Sequence, residues 1–339
     1  MARSFMNGRL TRSSDGGAFL ELFLIGAAVS AVGVRWLLAL TGYPRLGGGG
    51  LHVAHLLWGG LLMVVAIIAL LLFLDRGVHQ IAAGIAGIGF GLFIDEIGKF
   101  LTADNDYFFR PAIAVIYIIF IGLFLLLQVV LSGPRLDPRE SLANAMDLLE
   151  GGLDGSIEEG TRAHASMLLR RSADSPLTES LQTFAAGLAD RPTTLPWLHR
   201  MASRLDAGYD AVVGNPSFDR VVVLAVGVYA AASVISVGLL IASQGARLSE
   251  TATQAQALST LAGSLLVLRG IPELAVSHID AYRWFRRGVL VWILIAQVFV
   301  FYTSQLAGVG GLLVDLVAYA AIRYMSSREI SRTGRPAAR

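Results

Sequence analysis

The sequence has no cysteine, which excludes disulfides, thiolate metal sites and cysteine nucleophiles. Among 27 basic residues it has a single lysine, Lys99. All other cations are arginine, a bias that points to a GC-rich bacterial genome. Charge of either sign is scarce. Asp, Glu, Lys and Arg make up 15% of the chain and nearly cancel, at a net +2. That balance leaves no basic surface for nucleic acid. Signature loops are missing as well: there is no Walker A loop, no GxSxG, no HExxH, and no GxGxxG between a strand and a helix. The GIGFGL stretch lies inside an apolar run and fits no phosphate loop.

What is present is apolar sequence in long runs, 55% hydrophobic over 339 residues. This composition is that of an all-α polytopic transmembrane helical bundle embedded in a lipid bilayer. Eight spans are expected, at about 18–40, 51–74, 79–101, 111–131, 221–243, 257–276, 288–306 and 309–324. The sixth is the least apolar and contains Arg269, Pro272 and Glu273. The organisation that follows is 1–131 for spans one to four, 132–219 for a small helical cytoplasmic domain, and 220–339 for spans five to eight with a basic tail. The polar insert carries amphipathic patterns at about 137–150, 156–172, 176–188 and 195–213, separated by Gly, Asp and Pro turns.

Arg3, Arg9 and Arg12 precede the first run, and Arg283, Arg286, Arg287, Arg323, Arg328, Arg332 and Arg335 cluster on one predicted side. The positive-inside rule then places both termini in the cytoplasm, at a bacterial inner membrane. The first run is too long for the core of a signal peptide and is read as retained.

The informative stretch is GIAGIGFGLFIDEIGKFLTADNDY, residues 84–107. It puts Asp95, Glu96 and Lys99 within five positions of an expected membrane helix. A charge at the bilayer centre costs about 2.5–3.5 kcal/mol on insertion scales, so three of them need partners, water or a task. Counting from the expected helix ends, Arg35, His55, Asp95, Glu96 and Asp315 share one level, in the outer third of the membrane. Their faces agree. At 100° per residue His52, His55 and Gly59 lie close together. Gly84, Gly87, Gly91 and Gly98 form a stripe beside Asp95, and Ala28, Ala31 and Arg35 share a face. Small residues let membrane helices approach closely, so these faces are expected to meet.

Several chemistries fit these residues. Arg35, His55, Asp95, Glu96, Lys99 and Asp315 can form an ion or proton site. His52, His55 and Glu96 can hold zinc or another divalent metal. The same residues can also be an internal ion-pair lock, and paired histidines can simply start a helix in contact with water. Asp104, Asn105 and Asp106 are read as a turn, and Arg269 with Glu273 as a structural pair. The combination HVAHLLWGG with GIGFGLFIDEIGKFLTADNDYFF, from Leu51 to Phe109, resembles a group of uncharacterised bacterial multi-pass membrane proteins. The resemblance implies no activity. The leading expectation is a transporter or channel-like protein for a cation, a proton or a small solute. A membrane-embedded metal-dependent hydrolase and a scaffold or sensor working through residues 132–219 are the alternatives. A homo-oligomer and a cytoplasmic protein partner for residues 132–219 are compatible with all three.

Overall fold

The computed structural model describes residues 11–42, 54–104, 106, 109, 111–131, 136–172, 176–191, 204, 207–208, 211–215, 217–243 and 251–333. It is overwhelmingly helical, and six stretches are long and apolar enough to cross a membrane. The chain is a multi-pass membrane protein. It divides into two compact units, 1–97 with 122–201, and 98–121 with 202–339.

The first unit is built on three apolar helices: α1 (Gly16–Thr41), α2 (His55–Leu72) and α3 (Arg76–Asp95). Helix α3 is central and packs along both others. Glycine makes this possible. A Cβ at Gly91 would collide with Ala27 O and Ser30 Oγ of α1, and one at Gly89 would lie 2.6 Å from Gly59 O of α2. Helix α3 therefore uses glycine on two sides, Gly87 and Gly91 of the stripe toward α1 and Gly89, outside it, toward α2. The expected helix over 79–101 is not continuous. Helix α3 ends at Asp95, Glu96 forms the joint, and a short α4 (Ile97–Leu101) follows. Periodicity does not reveal the break, because the apolar pattern runs on through Ile97, Phe100 and Leu101.

The polar insert contributes α6 (Pro138–Glu150), β1 (Ser156–Glu158), α7 (Glu159–Arg171), α8 (Pro176–Gly187) and β2 (Ala189–Arg191), after the apolar α5 (Pro111–Leu131). The start of α6 is a capping box. Asp137 accepts from the Glu140 N–H, Glu140 accepts from the Asp137 N–H, and Pro138 occupies the first turn. Leu148, Leu149, Ile157, Leu168, Leu169 and Leu188 form its core. The all-helical expectation needs one correction here. Residues 156–158 pair in parallel with 189–191, Ser156 opposite Ala189. Parallel strands require a crossover, and α7 and α8 supply it. Helix α7 accordingly begins at Glu159 and not at 156. The fourth expected helix, 195–213, lies mostly outside the described residues.

The second unit contains α9 (Phe218–Ser243), α10 (Thr251–Glu273), α11 (His278–Val291), a π-helical turn over Trp292–Ala296, α12 (Gln297–Ser304), a 3-10 turn over Gln305–Ala307, and α13 (Gly308–Thr333). Helix α11 starts ten residues before the expected seventh span. Ser277 caps it by accepting from the Asp280 N–H, and Ile279, Tyr282 and Phe285 turn inward while the arginines face out. The polar SHIDAYRWFRR segment is thus the amphipathic first half of a helix. Residues 278–332 would make one helix far longer than a bilayer needs, but Gln305 breaks it with a left-handed φ of 49°. Helix α13 then returns along α11, placing Ile322 and Met325 in one core with Phe285, Val289 and Trp292. Helix α10 packs on α11 through backbone contact, a Cβ at Gly288 falling 2.6 Å from Gly263 O. Arg269 pairs with Glu273 at 2.7 Å, as its spacing implies.

Candidate functional site

Four of the polar residues singled out in the sequence come together in the first unit. Arg35 lies roughly 28 Å along α1 from Gly16, at 1.5 Å per residue. Its Nε donates to Asp95 Oδ1 at 2.6 Å, and its Nη2 donates to the Asp95 backbone oxygen at 2.8 Å. The last carbonyls of a helix have no partner of their own, so one guanidinium neutralises the Asp95 side chain and also satisfies the carbonyl at the helix end. His55, the first residue of α2, reaches across to the same place. Its Nε2 is hydrogen-bonded to Asp95 Oδ2 at 3.1 Å, and its Nδ1 lies 3.2 Å from Glu96 Oε1.

Asp95 and Glu96 are each 1% exposed and Arg35 is 8% exposed. His55 is the member of the cluster with the most access, its side chain 17% exposed. The start of α2, whose unpaired N–H groups carry partial positive charge, sits beside both carboxylates.

Proton bookkeeping follows from this geometry. Both imidazole nitrogens face carboxylate oxygens. A doubly protonated ring satisfies two carboxylates. A singly protonated ring satisfies one and needs a proton on the other. Both arrangements contain the same number of protons, so the cluster can relocate a proton between His55 and a carboxyl without changing its total charge. Arg35 takes no part in that exchange, because guanidinium stays protonated.

The metal reading gains nothing from the donors present. Among the described residues no group of three His, Asp or Glu is arranged to hold a metal ion. His55 uses both nitrogens on carboxylates, and His52 lies outside the described residues. Lys99, in α4, and Asp315, in α13, belong to the second unit.

At the opposite end of the three helices lie contacts that sequence reasoning did not anticipate. Asp15, just before α1, is 7% exposed and accepts from Arg76 Nη2 at the start of α3, at 2.7 Å. Arg12 donates from Nη2 to Glu140 Oε2 at 2.9 Å and from Nε to Oε1 at 3.0 Å. Asn144 accepts from the Ser14 N–H and donates to the Arg12 carbonyl. The Arg12 hydrogen bond, helped by the Asp137 N–H, holds the Glu140 carboxyl down at about 2, and Glu140 in turn raises the Arg12 guanidinium. The segment before α1, the start of α3 and helix α6 are thereby tied to one end of the unit.

Compared with known proteins, the chain matches no family model, no curated protein and no solved structure.

Proposed function

We propose that this protein moves protons, or a cation coupled to them, across a bacterial inner membrane, and that His55, Asp95 and Glu96 are the site of exchange. The observation that carries this reading is the bridging imidazole. His55 contacts one buried carboxylate through each nitrogen, at the joint of a broken helix. Ionisable groups within membrane spans mark ion and proton pathways. A discontinuous helix supplies the irregular backbone on which such sites are built. In this reading Arg35 is a positioning residue. It sets the charge of the cluster and anchors the end of α3.

The same reading places the two termini and residues 132–219 on the cytoplasmic side. Support comes from the arginine distribution and from the Arg12–Glu140 and Asp15–Arg76 contacts, which gather the segment before α1, the α3 start and α6 at one end. The insert is then a regulatory or docking piece for a cytoplasmic protein. Eight crossings fit this sidedness if α10 spans and if the 278–332 stretch crosses twice.

The test is proton flux into proteoliposomes holding a pH-sensitive dye, driven by an imposed membrane potential. Wild type is expected to change internal pH, and His55→Gln and Glu96→Gln to abolish the flux while remaining folded. Arg35→Lys is expected to retain part of it. Flux unchanged by both Asp95→Asn and Glu96→Gln rules this reading out. The competing reading, a purely structural lock, is favoured by the double anchoring of Asp95 by Arg35. It predicts that neutral replacements lower thermal stability and that the purified protein carries no flux in any form.

A further inference from the structure

The second unit contains a buried acid that the cluster at His55 does not use. Asp315 is 3% exposed on α13, and among the described residues its Oδ1 has no hydrogen-bond partner. Among the described residues it makes no ion pair. The titratable side chains within its electrostatic reach are the phenols of Tyr117 and Tyr229, and neither supplies a positive charge. Other polar groups packed against this part of the helix are engaged elsewhere. Tyr117 donates to Ile293 O at 2.7 Å, within the π-helical turn, and Gln297 Nε2 donates to Gly308 O at 2.7 Å. Trp292 Nε1 donates to Thr260 O at 3.2 Å. A carboxylate buried without a counter-charge is expensive. A carboxylic acid that keeps its proton removes most of that cost.

Tyr229, within electrostatic reach of Asp315, also borders accessible space. It stands edge-on to Trp292 at 4.9 Å between ring centres, and it lines a cavity of about 520 Å³ between α9, α10 and α12. Ser236, Thr253, Gln256, Thr260 and Thr303 line the same cavity, and among the described residues no charged side chain does. A wall of hydroxyls and an amide is suited to water and to hydrogen-bonded proton transfer, and offers nothing to fix an anion or a multivalent cation.

The structure assigns to Asp315 the role of a proton-exchanging carboxyl, served from this hydroxyl-lined cavity by way of Tyr229. The assignment does not depend on what the His55 cluster does.

Infrared spectroscopy of the full chain in lipid tests it directly. At neutral pH the wild type is expected to show the carbonyl band of a protonated carboxylic acid. The band should be lost in Asp315→Asn and displaced in Asp315→Glu, so that one of the two variants reports even if the other fails to fold. In D2O the band should shift as the proton exchanges, and Tyr229→Phe is expected to slow that shift by about tenfold. If no band depends on residue 315, the carboxyl is ionised and the assignment is overturned. A band that never shifts in D2O overturns the exchange. A shift as fast in Tyr229→Phe as in wild type overturns the route.

Discussion

Asp95 and Asp315 are buried almost equally, at 1% and 3% exposure, and share none of their surroundings. Asp95 sits at a helix joint with Arg35 on one carboxylate oxygen and His55 on the other. Asp315 sits within an unbroken helix, its Oδ1 without a hydrogen-bond partner among the described residues and two phenols within its electrostatic reach. Low dielectric penalises an unbalanced charge, and there are two ways out: import a cation, or retain the proton. One chain contains both. The contrast shows that an intramembrane aspartate cannot be assigned a role from its burial alone. What decides is the inventory of donors around each oxygen.

The largest expected difference between the two acids is in stability. Breaking a buried pair by removing one member costs about 3–5 kcal/mol, because the partner is left charged and alone. Arg35→Met should therefore lower the thermal midpoint in detergent sharply. Asp315→Asn removes no ion pair and replaces a neutral acid by an amide of nearly the same shape, so it should lower the midpoint clearly less than Arg35→Met does. Equal shifts for the two variants would erase the distinction drawn between the two sites.

A second, smaller effect asks what seats Arg35. The close approach of α1 to α3 depends on Gly91, where a Cβ would meet Ala27 O and Ser30 Oγ. Gly91→Leu forces the helices apart, and overpacking of this kind costs about 1–3 kcal/mol. It should also draw Arg35 away from Asp95. The double variant Gly91→Leu, Arg35→Met is then expected to cost less than the sum of the singles, since both remove one contact. Strict additivity in melting measurements would mean that the glycine contact and the ion pair are independent.

Much of this was legible before the structure. Apolar runs of membrane length, the polar insert with its first three helices, and the convergence of Arg35, His55, Asp95 and Glu96 follow from composition, periodicity and depth. Three features were not. The joint after Asp95 has no sequence marker, since a helix break stabilised by an arginine from another helix is a tertiary effect that local propensity cannot encode. The reversal at Gln305 was predicted only as a short gap between spans, and the left-handed residue there is glutamine, not glycine. The two joints correspond in sequence. When FYTSQLAG is laid on LFIDEIGK, Ser304 and Gln305 stand where Asp95 and Glu96 do, and each helix stops at the first residue of that pair. One joint carries two acids and the other two uncharged polar residues. Tyr229 and Gln297 escaped notice because single polar residues in apolar runs are common and point nowhere until the facing helix is known.

Glu140 offers a third treatment of an acid, outside the spans, and carries the smallest expected effect. Like Asp95 it is buried with a cation on it, but that cation, Arg12, has a side chain 36% exposed, so water and salt screen the pair. Its carboxyl is depressed from an ordinary 4.5 to about 2, first by the Arg12 hydrogen bond and next by the Asp137 N–H. A depressed carboxyl contributes stability that is present above its unfolded value and disappears as pH falls through the folded one. The contact between residues 12–15 and α6 should thus hold at neutral pH, weaken below about 4.5 and be lost near 2. Arg12 is raised and stays charged, so alkaline pH should leave the contact intact. Amide hydrogen exchange at Ser14, whose N–H is bonded to Asn144 at 2.6 Å, reads this locally. Protection there should fall with acid, and Glu140→Gln should lower it at every pH. Acid-insensitive protection would show that Asn144 alone holds the segment. In that case the parallel between Glu140 and Asp95 fails, and only the acid inside the membrane depends on its arginine.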